Sequence, residues 1–281
     1  MESSKPTTTT AVVPHTKQEI AQAIGNSGIA DSILASFNKL ATQGQLVFPK
    51  GYAVGNQLKL MYTNLSQAGN LAGVTDISIG EALTEAVIQG LEMDKKQCYF
   101  IKYGNKLQMF RSYYGDVAVA KRTGLVKDIR ARVIYKGDEY EIDSDEYGEE
   151  IIVSHRTKLE NRDSEIVGAY AWAECYDGRK RFCIMTWKEI QTNWSKSKSG
   201  GAVSKEFPQE MSKRTVIRRL VKMIFNTAPT DIGEETQALI GSYNRTTEDE
   251  YENAKTPKSD GVQNVVIDEE SGEVVAEVPA K

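Results

Sequence analysis

The positively charged side chains between residues 206 and 229 are the strongest chemical signal in the chain. Five cations fall within ten positions, and no acidic residue occurs from Ser212 to Asn226; the cations are Lys213, Arg214, Arg218, Arg219 and Lys222. Like charges four residues apart repel one another on a helix. A polyanion along this face would offset the repulsion, and nucleic acid is the obvious candidate. The alternative is a basic face docked on acidic residues of a neighbouring domain.

A second group of cations is interleaved with aromatic residues in the middle of the chain. It consists of Lys102, Tyr103, Arg111, Tyr113, Tyr114, Lys121 and Arg122. Single-stranded nucleic acid is held by cations on its phosphates and by bases stacked on aromatic rings, at roughly 1–3 kcal/mol per base. These residues are therefore predicted to bind DNA. For each tyrosine alone, packing in the core or at a sheet edge is the alternative, and Trp172, Trp187 and Trp194 are interpreted as core or subunit-contact residues.

Hydrophobic periodicity predicts helices in the first third of the chain. Apolar residues recur at helical spacing over residues 17–40 and 56–69, and again after Ser78. Ser78 and Glu81 have the spacing of a capping box, which predicts that the third of these helices begins at Ser78.

After Asp94 the pattern alternates as it does in strands. It predicts a hairpin turned at Gly104-Asn105, a short helix at 116–123, and strands at 126–136, 139–143, 151–155, 166–176 and 179–185. Helices follow at 187–195 and 206–229. The predicted fold class is α+β, with N-terminal helices, a central antiparallel β-sheet with a β-hairpin and a short helix, and a C-terminal basic helix.

The charge distribution divides the chain into regions. The net charge is −4, but residues from Asp231 onward carry 13 acids and 4 bases, which leaves 31 bases and 26 acids in residues 1–230. The body is therefore basic and the end of the chain acidic. We predict a disordered lead at 1–16, a helical oligomerisation region at 17–93, a core with the DNA-binding groove at 94–229, and an acidic disordered tail at 230–281.

The sequence contains no constellation of catalytic residues. Only two histidines occur, His15 and His155, and there is no glycine-rich phosphate loop of the GxxxxGK[ST] kind. The acidic residues at 143–150 are interpreted as a solvated loop, with a metal-binding cluster as the alternative. The chain is therefore predicted not to be an enzyme. No cofactor is expected, and any Mg²⁺ would be associated with the DNA rather than with a protein site.

Cysteine usage and hydropathy predict a cytoplasmic protein that does not contact a membrane. The three cysteines, Cys98, Cys175 and Cys183, have no CxxC spacing, and the first residues contain no apolar signal-peptide core. No apolar run approaches the roughly 18 residues that a membrane span requires.

Several motifs in order along the chain resemble the RecT family. They are Gln97–Gly104, Gln108–Phe110 with Tyr113 and Gly115, Ala120–Gly124, Val133 with Gly137–Tyr140, Tyr170-Ala171 with Asp177-Gly178, Met185-Thr186 with Glu189-Ile190, and Met211–Leu220. The resemblance runs from about Gln18 to Pro229. It differs at Ser112-Tyr113-Tyr114-Gly115, where family members commonly carry a basic residue before the glycine. Either Arg111 takes over that phosphate contact or Tyr114 replaces it by stacking.

The resemblance implies a phage- or prophage-encoded protein that binds single-stranded DNA and anneals complementary strands without nucleotide hydrolysis. It implies a β-β-β-α annealase core and assembly into rings or helical filaments. The implied partners are single-stranded DNA, the duplex annealing intermediate, a 5′→3′ exonuclease and, in some cases, the host single-strand binding protein. The acidic tail is expected to be dispensable for annealing. A non-annealing nucleic-acid chaperone with the same basic groove is the alternative, and a nuclease acting through Asp143 and Asp145 is a third hypothesis.

Overall fold

The computed structural model describes residues 27–43, 48–69, 71–195, 207–255, 264–267 and 274–278. The predicted lead at 1–16 lies outside them. The helices are α1 (Ser27–Thr42), α2 (Val54–Gln67), α3 (Asp76–Ile88), α4 (Tyr113–Arg122), α5 (Trp187–Ser195), α6 (Pro208–Asn226) and α7 (Glu234–Lys255). The strands are β1 (Cys98–Tyr103), β2 (Lys106–Arg111), β3 (Val126–Tyr135), β4 (Glu139–Ser144), β5 (Glu150–Arg156), β6 (Ile166–Cys175), β7 (Lys180–Thr186), β8 (Asn264–Ile267) and β9 (Val274–Val278).

A three-stranded antiparallel sheet forms the centre of the chain. Its order is β3–β6–β7, and helix α6 packs on one of its faces. Alternate residues of the strands point into the core below α6, among them Ile129, Val133, Ala171 and Met185. The alternation arises because successive side chains of a strand point to opposite faces. The mixed helix-and-sheet class predicted from the sequence is confirmed.

The N-terminal helices belong to the same core as the sheet. Helix α3 packs against β2, α2 packs against α1 and α3, and their buried side chains include Leu58, Leu65 and Leu83. The predicted start of α3 was two residues late. Its N-cap is Thr75, whose hydroxyl accepts a hydrogen bond from the Ser78 backbone N–H, while the Ser78 hydroxyl donates to the Leu107 carbonyl.

Strands β4 and β5 form a separate two-stranded ribbon beyond the sheet. Both strands are largely exposed, as expected for the charged sequence that they carry. The base of the ribbon is fixed at Asp138, which is buried and accepts hydrogen bonds from Asn161 and Thr157 and contacts His155 at 2.9 Å. Burial raises the pKa of Asp138, but its hydrogen bonds from the Tyr135 N–H and these side chains bring the pKa below its ordinary value.

The prediction of a disordered tail from residue 230 is wrong for residues 234–255. These residues form α7, which packs against α3 and β2. Leu239 and Tyr243 lie one turn apart and are buried in the common core, and Tyr243 meets Phe225 of α6 edge to face at 4.9 Å. Apolar burial of this kind outweighs the acidic composition that predicted disorder. None of the described helices is both long and apolar enough to cross a membrane.

Candidate nucleic-acid interface

Helix α6 presents its first arginines to the β1–β2 hairpin. The helix buries Val216, Leu220 and Val221 against the sheet. On another face, the Arg214 guanidinium donates to the Arg111 carbonyl oxygen at 3.0 Å and to the Tyr99 hydroxyl at 3.3 Å. Arg218, one turn later, lies 3.4 Å from the same carbonyl oxygen. The predicted helix therefore brings two of its five cations, Arg214 and Arg218, to the hairpin.

The hairpin contributes aromatic rings beside these arginines. Tyr99 and Phe110 are paired across the strands and stack with their ring centroids 5.6 Å apart, and Tyr103 lies 6.3 Å from Phe110. Tyr99 was not among the residues predicted from the sequence to contact DNA, so its contact with Arg214 was missed. We call the group formed by Tyr99, Tyr103, Phe110, Arg214 and Arg218 the α6–hairpin surface.

Arg111 does not reach this surface, which corrects its prediction as a DNA contact. Its side chain is fully buried, and its Nε donates to Asp116 at 2.9 Å. The guanidinium also donates to the Gln89 side chain at 2.8 Å and to the Tyr243 carbonyl oxygen at 3.2 Å. Hydroxyls of Thr246 and Thr247 accept further hydrogen bonds from it. All five N–H groups of a guanidinium need acceptors when it is buried, and this environment supplies acceptors around the whole group.

Helix α7 therefore supplies much of the Arg111 environment. The Tyr243 ring lies under the guanidinium carbon at 3.9 Å, a cation–π contact. Gln89 is held in place by Ser242 at 2.8 Å and by Thr246 at 3.2 Å. We call Gln89, Arg111, Asp116 and their α7 partners the Arg111 cluster.

Asp116 links the Arg111 cluster to helix α6. Its second carboxylate oxygen accepts from Arg218 Nε at 3.3 Å, so the carboxylate lies between two guanidinium groups. Burial raises the pKa of Asp116, but the charges of Arg218, Arg111 and Arg214 bring it below its ordinary value of 3.8. The basic face of α6 is thus partly docked on an acid, but that acid belongs to the same core rather than to a neighbouring domain.

The adjacent Gly115 is required by close packing rather than by an unusual backbone angle. It lies inside α4 and does not have a positive φ. A Cβ at this position would lie 2.1 Å from the Gln97 carbonyl oxygen, far inside van der Waals contact. Only glycine therefore lets α4 approach the segment before β1 and place Asp116 beside Arg111.

Two other predicted DNA contacts have structural partners in the protein. Arg122 donates to the Gln89 carbonyl at the end of α3 at 2.8 Å, and its guanidinium packs on Gly90. Burial lowers the pKa of Arg122. Lys102 donates to the carbonyl oxygen of Ala72. These two cations hold loops against the core in the structure.

The remaining predicted residues are at least partly accessible to solvent. Tyr114 and Arg219 are exposed, and Tyr113 and Tyr114 lie with their rings 4.0 Å apart at the start of α4. Lys213 and Lys222 are half-buried on α6, with Lys213 paired to Glu210. Lys121 is exposed and lies 3.5 Å from Asp128. Lys121 therefore lies beside strand β3 rather than with the α6 cations.

Within the described ranges, no group of three or more His, Cys, Asp or Glu side chains is arranged to hold a metal ion. The acidic segment at 143–150 lies at the tip of the β4–β5 ribbon. There Asp145 accepts hydrogen bonds from the backbone N–H groups of Tyr147 and Glu149, both at 2.9 Å. This carboxylate therefore stabilises the turn of the ribbon.

Comparison with known proteins identifies the family. The sequence model of the RecT family matches residues 55–260. The chain belongs to the RecT family. It is also similar to Protein RecT of Escherichia coli strain K12, with 29% identity over 229 residues that cover 75% of this chain and 83% of that protein. Membership makes it a DNA-binding recombination protein of the single-strand annealing class. The RecT match includes the whole of α7, so the helix that encloses Arg111 lies within the family region.

Proposed function

We propose that this protein binds single-stranded DNA along the α6–hairpin surface and anneals complementary strands without nucleotide hydrolysis. The observation that carries the proposal is the meeting of α6 cations with hairpin aromatics in a RecT-family chain. Cations would contact phosphates, and the rings of Tyr103 and Tyr114 would stack on bases. Phosphate contacts position a strand without reading its sequence, so any complementary pair would be accepted.

Annealing of this kind needs no chemical fuel. Neutralising the phosphates reduces the repulsion between two strands, and base pairing supplies the free energy. We propose that protomers assemble as a ring or helical filament, with the helices of residues 17–93 in their contacts. The proposed partners are a 5′→3′ exonuclease and the host single-strand binding protein, in the bacterial cytoplasm.

Affinity for single-stranded DNA is expected to fall steeply with salt, because each neutralised phosphate releases counterions. Anisotropy of a labelled oligothymidine, measured from low to high salt, tests this expectation. Equal affinities at both ends of the range would contradict phosphate binding.

Complementary labelled oligonucleotides are expected to pair faster with the protein than without it, in the absence of any nucleotide. Energy transfer between the two labels measures the rate. Binding without acceleration would favour the alternative, a nucleic-acid chaperone that does not anneal. Metal-dependent cleavage lost on changing Asp143 and Asp145 would support a nuclease instead.

Replacing Lys213 and Lys222 by glutamine is expected to weaken DNA binding while leaving the fold intact. Two lost phosphate contacts should reduce the slope of log affinity against log salt by about 1.4, at roughly 0.7 per contact for single strands. The matched control is Lys59→Gln with Lys95→Gln, which removes the same charge from two exposed ion pairs elsewhere. Equal slopes for both double variants would remove Lys213 and Lys222 from the interface.

Charge reversal of Arg218 is a poor test of the same surface. Arg218 pairs with buried Asp116, so a glutamate there would place two carboxylates together in a buried site. The lysine variants separate binding from folding.

A further inference from the structure

The face of the β3–β6–β7 sheet opposite α6 carries another set of cations and rings. Along each strand, residues of this face alternate with residues that point into the core. The register of the strands places the residues of this face in rows across the sheet. One row contains Arg130, Trp172 and Phe182, and the next contains Arg132, Tyr170 and Ile184. We call these six residues, with Lys180 beside Trp172, the open sheet face.

The β4–β5 ribbon covers only one end of the open sheet face. His155 of the ribbon lies 3.1 Å from the Tyr170 hydroxyl, and Tyr170 is buried. One row further on, Trp172 and Phe182 are half-buried, and the Arg130 side chain is 62% exposed. Two aromatic rings beside cations are thus accessible next to the ribbon.

The acids around this face already have partners in the protein. Asp128 contacts Arg130 at 2.9 Å and Lys121 at 3.5 Å, and Glu174 contacts Lys127 at 3.2 Å. By contrast, Arg132 and Lys180 make no ion pair with any residue that the structure describes. Lys180 Nζ instead lies 5.8 Å from the centroid of the Trp172 ring. The face therefore has an excess of positive charge at its aromatic row.

We propose that the open sheet face is a second contact site for single-stranded DNA. Trp172 stacks on a base there, while Arg132 and Lys180 contact the adjoining phosphates. Antiparallel sheets with aromatic rings on an open face are a recurrent platform for unpaired bases, and the stacking tolerates any sequence. DNA supplies a phosphate and a base at every nucleotide, whereas a protein partner would need carboxylates matched to both cations and an apolar group for the ring.

This inference rests on the proposed function, because the proposed function is what identifies the ligand as single-stranded DNA. Helix α6 and the open face lie on opposite sides of the same sheet, so one nucleotide cannot contact both. The open face must hold a different segment of DNA from the one on the α6–hairpin surface. Lys121, which the sequence grouped with the hairpin cations, contacts Asp128 and so borders the open face.

The test uses Trp172 as a reporter. The chain has three tryptophans, so Trp187→Phe with Trp194→Phe leaves Trp172 alone. Its fluorescence is expected to be quenched by oligothymidine, with a midpoint that matches binding measured by the anisotropy of a labelled oligonucleotide. Adding Arg132→Gln and Lys180→Gln is expected to abolish the quenching. When Arg132→Gln and Lys180→Gln are made in the chain that keeps all three tryptophans, they should reduce the slope of log affinity against log salt by about 1.4, again at roughly 0.7 per contact.

Two outcomes would overturn the inference. One is unchanged Trp172 fluorescence when anisotropy shows the oligonucleotide fully bound. The other is a fluorescence change on dilution without DNA, which would show that a second copy covers the face. The variant with Lys213→Gln and Lys222→Gln separates the two sites, because it should weaken binding yet keep full quenching at saturation. If the lysine variant binds normally and quenching persists, the open face is retained and Lys213 and Lys222 are removed from the proposed interface.

Discussion

A chain that ends at Thr230 is expected to lose at least about 3 kcal/mol of its free energy of unfolding. Truncation removes the buried side chains Leu239 and Tyr243, and burial of each such side chain contributes about 1.5–3 kcal/mol. It also removes three acceptors of the Arg111 guanidinium, on Tyr243, Thr246 and Thr247. Urea unfolding followed by circular dichroism measures the loss.

The control for this truncation is a chain that ends at Lys255. It keeps all of α7 and every contact of that helix with Arg111. Its free energy of unfolding is expected to equal that of the full chain, although it lacks part of the acidic end. If both truncations unfolded at the same urea concentration as the full chain, the role of α7 in the core would be rejected.

The same pair of truncations revises the expected role of the acidic end. From composition, everything after residue 230 was expected to be dispensable for annealing. The structure limits that expectation to residues after 255, because α7 is part of the core and encloses Arg111. The chain ending at Thr230 should lose annealing together with its fold, whereas the chain ending at Lys255 should retain it.

Local patterns were sufficient to predict most elements. The hairpin at 98–111, helix α5 and the strands of the sheet follow from alternation and helical spacing, which depend only on neighbouring residues. Helix α7 was missed because its charge was summed over the whole acidic end. Within it, Leu239, Tyr243 and Thr246 recur at helical spacing and form the buried stripe, a signal that a shorter window would have revealed.

The Arg111 environment could not have been predicted from neighbouring residues. An arginine at the end of a strand looks the same whether it faces a phosphate or the core. Asp116 lies only five positions later, but the other acceptors come from Gln89, 22 positions earlier, and from α7, more than 130 positions later. Only the tertiary fold brings these groups together. A cation of the kind that binds phosphate can therefore be buried inside the protein instead of contacting DNA.

The contacts of the α6 cations also depend on the tertiary fold and could be predicted only in part. Its spacing predicted a helix over the cations, and the helix is found at Pro208–Asn226. The sequence left open whether the cations face DNA or an acid of the protein. In the structure the cations differ in their surroundings: Arg218 contacts the buried acid Asp116, whereas Arg219 is exposed to solvent.

Replacing Asp116 by asparagine is expected to destabilise the protein by about 3–5 kcal/mol at neutral pH. Removal of one partner leaves buried Arg111 without its counterion, and breaking a buried pair has a cost of this size. The asparagine amide would also direct N–H groups at one of two arginine donors. The matched control is Asp177→Asn, which breaks an exposed pair with Arg181 and should cost roughly 0–1 kcal/mol.

The pH dependence of this loss follows from the lowered pKa of Asp116. Because the folded pKa lies below the ordinary value of 3.8, the ionised carboxylate stabilises the folded state fully above that value. The contribution is lost as pH falls through the folded pKa. The difference in unfolding free energy between the natural chain and Asp116→Asn should therefore be constant near neutral pH and shrink in acid. The other carboxylates are the same in both chains, so their contributions cancel in this difference. A difference in unfolding free energy that grew as the pH fell would contradict the ion pairs assigned to Asp116.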